Sequence, residues 1–225
     1  FSTFSLLTAK VYETSTEMAE NLGTFEEFEK NKEPMIEVIK MHLDATKKID
    51  RMKIPRQLEN IIDEAEKTWK NVIERGEKYG FRNAQATVLA PTGTIGFMMD
   101  CDTKGIEPEI GLVQTKLLVD GGRLKLVNST VEKTLRRLEY EEKDIKEIIN
   151  YVSKNETVEG CKNLKQEHLP IFDCSNKPQK AERTISVKGH LKMMAAVQPF
   201  ISGAISKTVN LPEEATIEDI ENTYI

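Results

Sequence analysis

The chain has 225 residues, 39% hydrophobic and 31% charged, with 32 Lys and Arg against 37 Asp and Glu for a formal charge of −5. That apolar share is too high for a disordered chain, and the length can bury a core in one large domain or two small ones. No run of about 18 apolar residues exists to span a membrane, and the mild acidity argues against direct nucleic-acid binding.

The first third reads as helices. Phe4, Leu7, Val11, Met18 and Leu22 recur at helical steps and mark one apolar face, which Gly23 stops. A second helix is expected to start near Pro34, with Met35, Ile36, Ile39 and Leu43 as its stripe. The third opens at Pro55 and keeps helical spacing through Leu58, Ile61, Ile62, Ala65, Trp69, Val72 and Ile73 to Gly76. Trp69 on that stripe reads as core.

The texture changes at Asn83. Ala84–Ala90 is short, uncharged and apolar, which fits a buried strand. Pro91-Thr92-Gly93-Thr94-Ile95-Gly96 follows, then an apolar patch at Phe97–Met99 that reads as a helix start. Leu112–Val119 and Arg123–Val127 read as a strand pair joined by a turn at Asp120-Gly121-Gly122. Asn128 or Ser129 can cap a helix through Val131, Leu135 and Leu138. Glu142–Lys154 is amphipathic, with Ile145, Ile148, Ile149 and Val152 inward. Residues 155–183 are irregular. Gly189–Val197 is a helix broken at Pro199, Gly203–Leu211 reads as a last strand, and an acidic helix begins at Glu213 after Pro212.

Chemistry is sparse. The three cysteines, Cys101, Cys161 and Cys174, form no CxxC and no disulfide scaffold, which with the absence of a signal-peptide pattern in FSTFSLLTAK points to reduced thiols in a cytoplasm. His42, His168 and His190 are far apart, so no metal site is assigned to them. Asp100, Asp102, Glu107 and Glu109 cluster densely, either as a divalent-cation site or, more simply, as a solvated turn. Acidic neighbours make Cys101 a poor nucleophile, Cys174 reads as a buried structural thiol, and His190 reads as a helix-start residue. PTGTIG is the best local candidate. Gly93 and Gly96 allow close approach, Thr92 and Thr94 carry hydroxyls, and a following helix would add its positive end. It reads either as a phosphate cradle or as an ordinary strand-to-helix turn, and matches neither a Walker loop nor a GxGxxG fingerprint.

Three long blocks are more specific: RNAQATVLAPTGTIGFMMDCDTKGIEPEIGLV (82–113), HLPIFDC (168–174) and GHLKMMAAVQPFISGAISKTVNLPEEATIEDI (189–220). They resemble ribonucleotide reductases, in particular the adenosylcobalamin-dependent class II enzymes. YETSTEMAENLG (12–23) and NKEPMIEVIKMH (31–42) fit the region upstream. The resemblance implies an α/β fold, the C-terminal portion of a ten-stranded barrel built of two parallel five-strand halves. Residues 1–225 would be a single fragment of that barrel, with 1–80 mainly helical and 81–225 holding strands, the substrate-phosphate loop and helices. It implies reduction of ribonucleoside di- or triphosphates by a cysteine thiyl radical, generated by homolysis of adenosylcobalamin, for which no binding residue is assignable in this chain.

It also implies that Pro91, Thr92, Gly93, Thr94 and Ile95 hold the substrate phosphates, with Gln85–Ala90 and GAISKTVNL as neighbouring barrel strands and the GIEP turn (105–108) near the barrel mouth. The family's Asn-x-Cys-x-Glu pattern is absent, so no catalytic residue is assigned, and Cys101, Cys161 and Cys174 stand in other contexts. The start without Met on FSTFSLL and the end within a helical IEDIENTYI read as edges inside a larger enzyme. A partial barrel exposes strand edges, so a complementing reductase chain or self-association is expected. The alternative is a non-catalytic nucleotide-binding or assembly module derived from the same barrel.

Overall fold

A computed structural model describes residues 1–99, 101–117, 123–211 and 214–224. The chain divides into two compact units, residues 1–90 with 192–206, and residues 91–191 with 207–225.

The first unit is built on three helices, α1 (Ser2–Leu22), α2 (Phe28–Lys47) and α3 (Glu59–Tyr79). Their core contains Tyr12, Phe28, Ile39, Trp69, Val72 and Phe81, all nearly inaccessible. The expected stripe of α2 is buried as read. The helix starts six residues before Pro34, which lies inside it. Past the first turn, Pro34 removes the bond to the Lys30 carbonyl and its ring crowds that carbonyl, a cost that burial of the stripe outweighs. Gly76 does not end α3. The helix runs on to Tyr79, and Gly76 is small because the Phe81 ring lies against it.

The buried face of α1 is a different one from the apolar face read in the sequence. Leu7, Met18 and Leu22 are exposed, whereas Ser5, Thr8, Tyr12, Ser15 and Thr16 are buried. The hydroxyls turn inward because they have partners there. Trp69 Nε1 donates to Ser5 Oγ at 3.0 Å, and Ser5 Oγ lies 2.5 Å from Thr46 Oγ1. Thr8 Oγ1 donates to the Phe200 carbonyl at 2.7 Å. Each such bond contributes about 1 kcal/mol net, while an orphaned buried partner costs about 1–3 kcal/mol.

The two segments expected as barrel strands are extended without forming ladder strands. Residues 84–90 are exposed or half-buried rather than buried. They meet 203–206 at one parallel bridge, Leu89 opposite Ile205. Leu89 N donates to Ala204 O, Ser206 N to Leu89 O and Gly203 N to Thr87 O. A Cβ on Gly203 would stand 2.8 Å from the Thr87 carbonyl oxygen, so only glycine lets the two backbones approach. Three further N–H groups go to hydroxyls: Ser202 Oγ accepts from Ala86 N and Thr87 N, and Ser15 Oγ from Asn83 N. With so many bonds made to side chains, the ladder does not extend.

The second unit holds a short helix α4 (Gly93–Met98) and an antiparallel pair, β1 (Val113–Leu117) and β2 (Arg123–Val127), with Val113 opposite Val127 and Leu117 opposite Arg123. This pair is the one ladder among the described residues; the expected turn at 120–122 lies outside them, as do Pro212 and Glu213. Helix α5 (Ser129–Arg137) is capped by Asn128, whose side chain accepts from Thr130 N, and α6 (Glu142–Asn155) follows. Val131, Leu135, Ile145, Ile148 and Val152 close a core with Leu112, Phe172 and Cys174. Helix α8 (Ile217–Tyr224) of this unit follows a Thr216–Asp219 cap, whereas α7 (Val187–Val197) has residues in both units and the short 3₁₀ turn at Gln198–Phe200 that contains Pro199 belongs to the first.

Gly76→Ala would place a methyl 2.4 Å from the buried Phe81 ring. The expected loss is about 1–3 kcal/mol, the usual range for overpacking, read as a lower midpoint in urea. His42 generates a second expectation. It is buried, stacked on Trp69 at 5.1 Å between ring centres, and its Nδ1–H donates to Pro199 O at 2.7 Å. Burial pushes its pKa below 6.5, more than that hydrogen bond restores. The unfolded chain therefore takes up the proton first, and stability falls as pH drops below 6.5 toward the folded pKa. Thermal melts across that window should show the decline, and His42→Gln should make it shallower.

Candidate functional site

The second unit brings the loop 91–99, the turn 104–107 and residues 190 and 207 into one hydrogen-bonded system. The loop comes first. Thr92 sits at φ 50°, a left-handed conformation that is rare for a β-branched residue. Two bonds hold it there. Gly96 N donates to the Thr92 carbonyl at 2.8 Å, and Gly105 N donates to Thr92 Oγ1 at 3.0 Å. The backbone thus turns into α4 at Gly93, and the first N–H groups, on Gly93, Thr94 and Ile95, have no intrahelical acceptor. Gly93, Thr94 and Ile95 are exposed, and nothing lies within 4 Å of where a Gly93 Cβ would stand.

The turn comes next. Gly105 takes φ 56°, and Glu107 N donates to Lys104 O at 3.0 Å to close it. The Glu107 carboxylate accepts from Lys207 Nζ at 2.5 Å and from Thr208 N at 2.6 Å. Burial alone would raise its pKa, but the Lys207 and Thr208 hydrogen bonds outweigh that and hold it below the usual range. Lys207 Nζ also donates to His190 Nδ1 at 2.8 Å and to Thr208 O at 2.5 Å. That contact puts the imidazole proton on Nε2. His190 is 2% exposed, and its Nε2 finds no partner among the described residues. Burial, then the Lys207 charge, keep its pKa low.

The other sequence candidates separate. Asp100 lies outside the described residues, and Asp102 is exposed. Glu109 accepts from Asn128 Nδ2 at 2.7 Å, and burial raises its pKa. Glu107 and Glu109 therefore serve different partners, and no metal-holding cluster occurs among the described residues. His168 Nδ1 lies 2.7 Å from the Tyr140 hydroxyl. Sequence reasoning passes over Lys207, and gives Glu107 and His190 other readings, a carboxylate in a turn and a helix-start residue. The available signal was that all three fall inside the long blocks.

A model of the family described as ribonucleotide reductase, barrel domain, matches residues 2–225. The chain belongs to that family. It is 51% identical over 220 residues to a vitamin B12-dependent ribonucleotide reductase of Rhodopirellula baltica, covering 98% of this chain and 21% of that protein. Proteins of the same name from Streptomyces avermitilis and Streptomyces coelicolor are each 47% identical, over 98% of this chain and 22% of theirs. The chain thus spans about a fifth of the length of the curated relatives it matches. Among the described residues no helix is long and apolar enough to cross a membrane.

Cysteine chemistry of this reductase-family chain is testable directly. Cys101 is exposed, whereas Cys161 and Cys174 are buried. Burial, with Glu109 and Asp173 nearby, pushes the Cys174 thiol up to about 12. Alkylation of the native chain followed by mass spectrometry should label Cys101, with Cys161 and Cys174 reacting only after unfolding.

Proposed function

We propose that this chain is part of the catalytic barrel of a vitamin B12-dependent ribonucleotide reductase, a cytoplasmic enzyme, and that both compact units belong to that one barrel. In this reading Pro91, Thr92, Gly93, Thr94 and Ile95 bind the phosphates of a ribonucleoside di- or triphosphate. The observation that carries it is the exposed start of α4, where three N–H groups without intrahelical acceptors stand beside an open Gly93, in a chain matched to the family over residues 2–225. Phosphate held there anchors one end of the substrate. Fixing that end orients the ribose for chemistry supplied by other segments of the enzyme.

Adenosylcobalamin would supply the initiating radical, in keeping with the vitamin B12 dependence of the relatives. The described residues do not fit a corrin. The larger of the two described concavities, about 490 Å³, is a surface groove in which Lys32, Glu33, Glu37, Lys40 and Glu77 surround Ile36. The orphaned imidazole nitrogens of His42 and His190 are buried. The seat of the cofactor would lie on other segments.

Titration of the chain with inorganic pyrophosphate by calorimetry tests the loop. Gly93→Asp has room for its side chain and adds a negative charge where the anion would sit. The expected loss of affinity is about tenfold or more, from like-charge repulsion near the site. Binding that is equal in both proteins would reject the phosphate role. The chain alone should not reduce ribonucleotides with adenosylcobalamin and a dithiol, because it lacks the Asn-x-Cys-x-Glu pattern. Turnover restored by the remaining reductase polypeptide supports the enzyme; nucleotide binding without turnover after complementation supports a non-catalytic module.

A further inference from the structure

We propose that Lys207 is a positioning residue for the loop 91–95, acting through Glu107 and the turn that braces Thr92. This rests on the phosphate reading only for what the loop binds. Lys207 contributes no group to the loop itself; its role follows from a chain of contacts. Its ammonium has three protons and three acceptors, Glu107 Oε2, His190 Nδ1 and Thr208 O, and its side chain is 3% exposed. A buried ammonium this fully satisfied has one stable position. It fixes the Glu107 carboxylate, whose second oxygen is held by Thr208 N. Glu107 ends the turn whose Gly105 N–H holds Thr92 Oγ1.

Thr92 needs that hold. Its left-handed backbone is intrinsically disfavoured for a β-branched residue. Without the Gly105 bond it relaxes toward the extended region, and the N–H groups of Gly93, Thr94 and Ile95 lose their common direction. Removing the Lys207 ammonium leaves a half-buried carboxylate without its counter-charge, and the turn shifts to hydrate it.

Hydrogen–deuterium exchange on the 225-residue chain tests this without any ligand. Lys207→Met keeps side-chain length and removes the donors. Glu107→Gln keeps size and removes the charge. The expected result is faster exchange, by about tenfold, in peptides covering 91–99 and 104–108, with α5 and α6 unchanged, as when one charged hydrogen bond is lost. Inorganic pyrophosphate should bind both variants about tenfold more weakly, for the same reason. Unchanged exchange at 91–99 in both variants would overturn the proposal. So would loss of protection throughout α5 and α6 in both, since Lys207 would then be a determinant of the whole unit. Failure of the unmodified chain to bind pyrophosphate would defeat the phosphate reading alone; faster exchange at 91–99 in the variants would still support the positioning role.

Discussion

An extended backbone with almost no sheet to join must place its N–H and C=O groups elsewhere, and the first unit is organised around that constraint. Residues 82–90 have one bridge to 203–206 and otherwise use isolated backbone bonds and hydroxyls. Arg82 N donates to the Ser15 carbonyl, Asn83 N to Ser15 Oγ, and Tyr12 OH donates to the Ala84 carbonyl. Thr8, Tyr12 and Ser15 are spaced four and three apart, so they share one face of α1. An aliphatic face there would bury well but would leave these backbone groups unpaired. The same face reaches Trp69 and Thr46 through Ser5, so one row of hydroxyls joins the three-helix core to the extended segment.

This explains what the sequence did and did not reveal. Helices α2, α3 and α6 were legible because their inward faces are aliphatic and recur every three to four residues. The inward face of α1 was not, because Ser and Thr count as polar until their partners are known. Leu7, Met18 and Leu22 then looked like the core by default, yet they are exposed. The extended segments were legible as extended, from composition. Whether they form ladders depends on which groups take their hydrogen bonds, and one of those partners, Ser202, lies 116 residues from Ala86.

The site divides in the same way. PTGTIG could be singled out because glycine and threonine reveal local backbone freedom and hydroxyl donors. The left-handed Thr92 could not be foreseen, since its brace comes from Gly105, 13 residues on. Glu107 looked like one of four carboxylates in a solvated turn. Its bonds to Lys207 and Thr208, 100 and 101 residues away, give it a separate role. His190 looked like a helix-start residue, and nothing local announces that its Nδ1 accepts from an ammonium.

Why a lysine holds this position, rather than an aliphatic side chain, follows from direction. A buried charge pair is often no more stabilising than a well-packed apolar substitute, because desolvation offsets much of the attraction. An apolar contact, however, has no preferred angle and would let the turn slide along its neighbour. Three acceptors around one ammonium define its place in three dimensions, and two bonds on the Glu107 carboxylate fix that group in turn. The neutral His190 is part of the same requirement, since a protonated ring could not accept and would set a second cation beside Lys207. A loop that keeps a disfavoured backbone at Thr92 needs a support that cannot slide, and directed hydrogen bonds to a buried charge provide it.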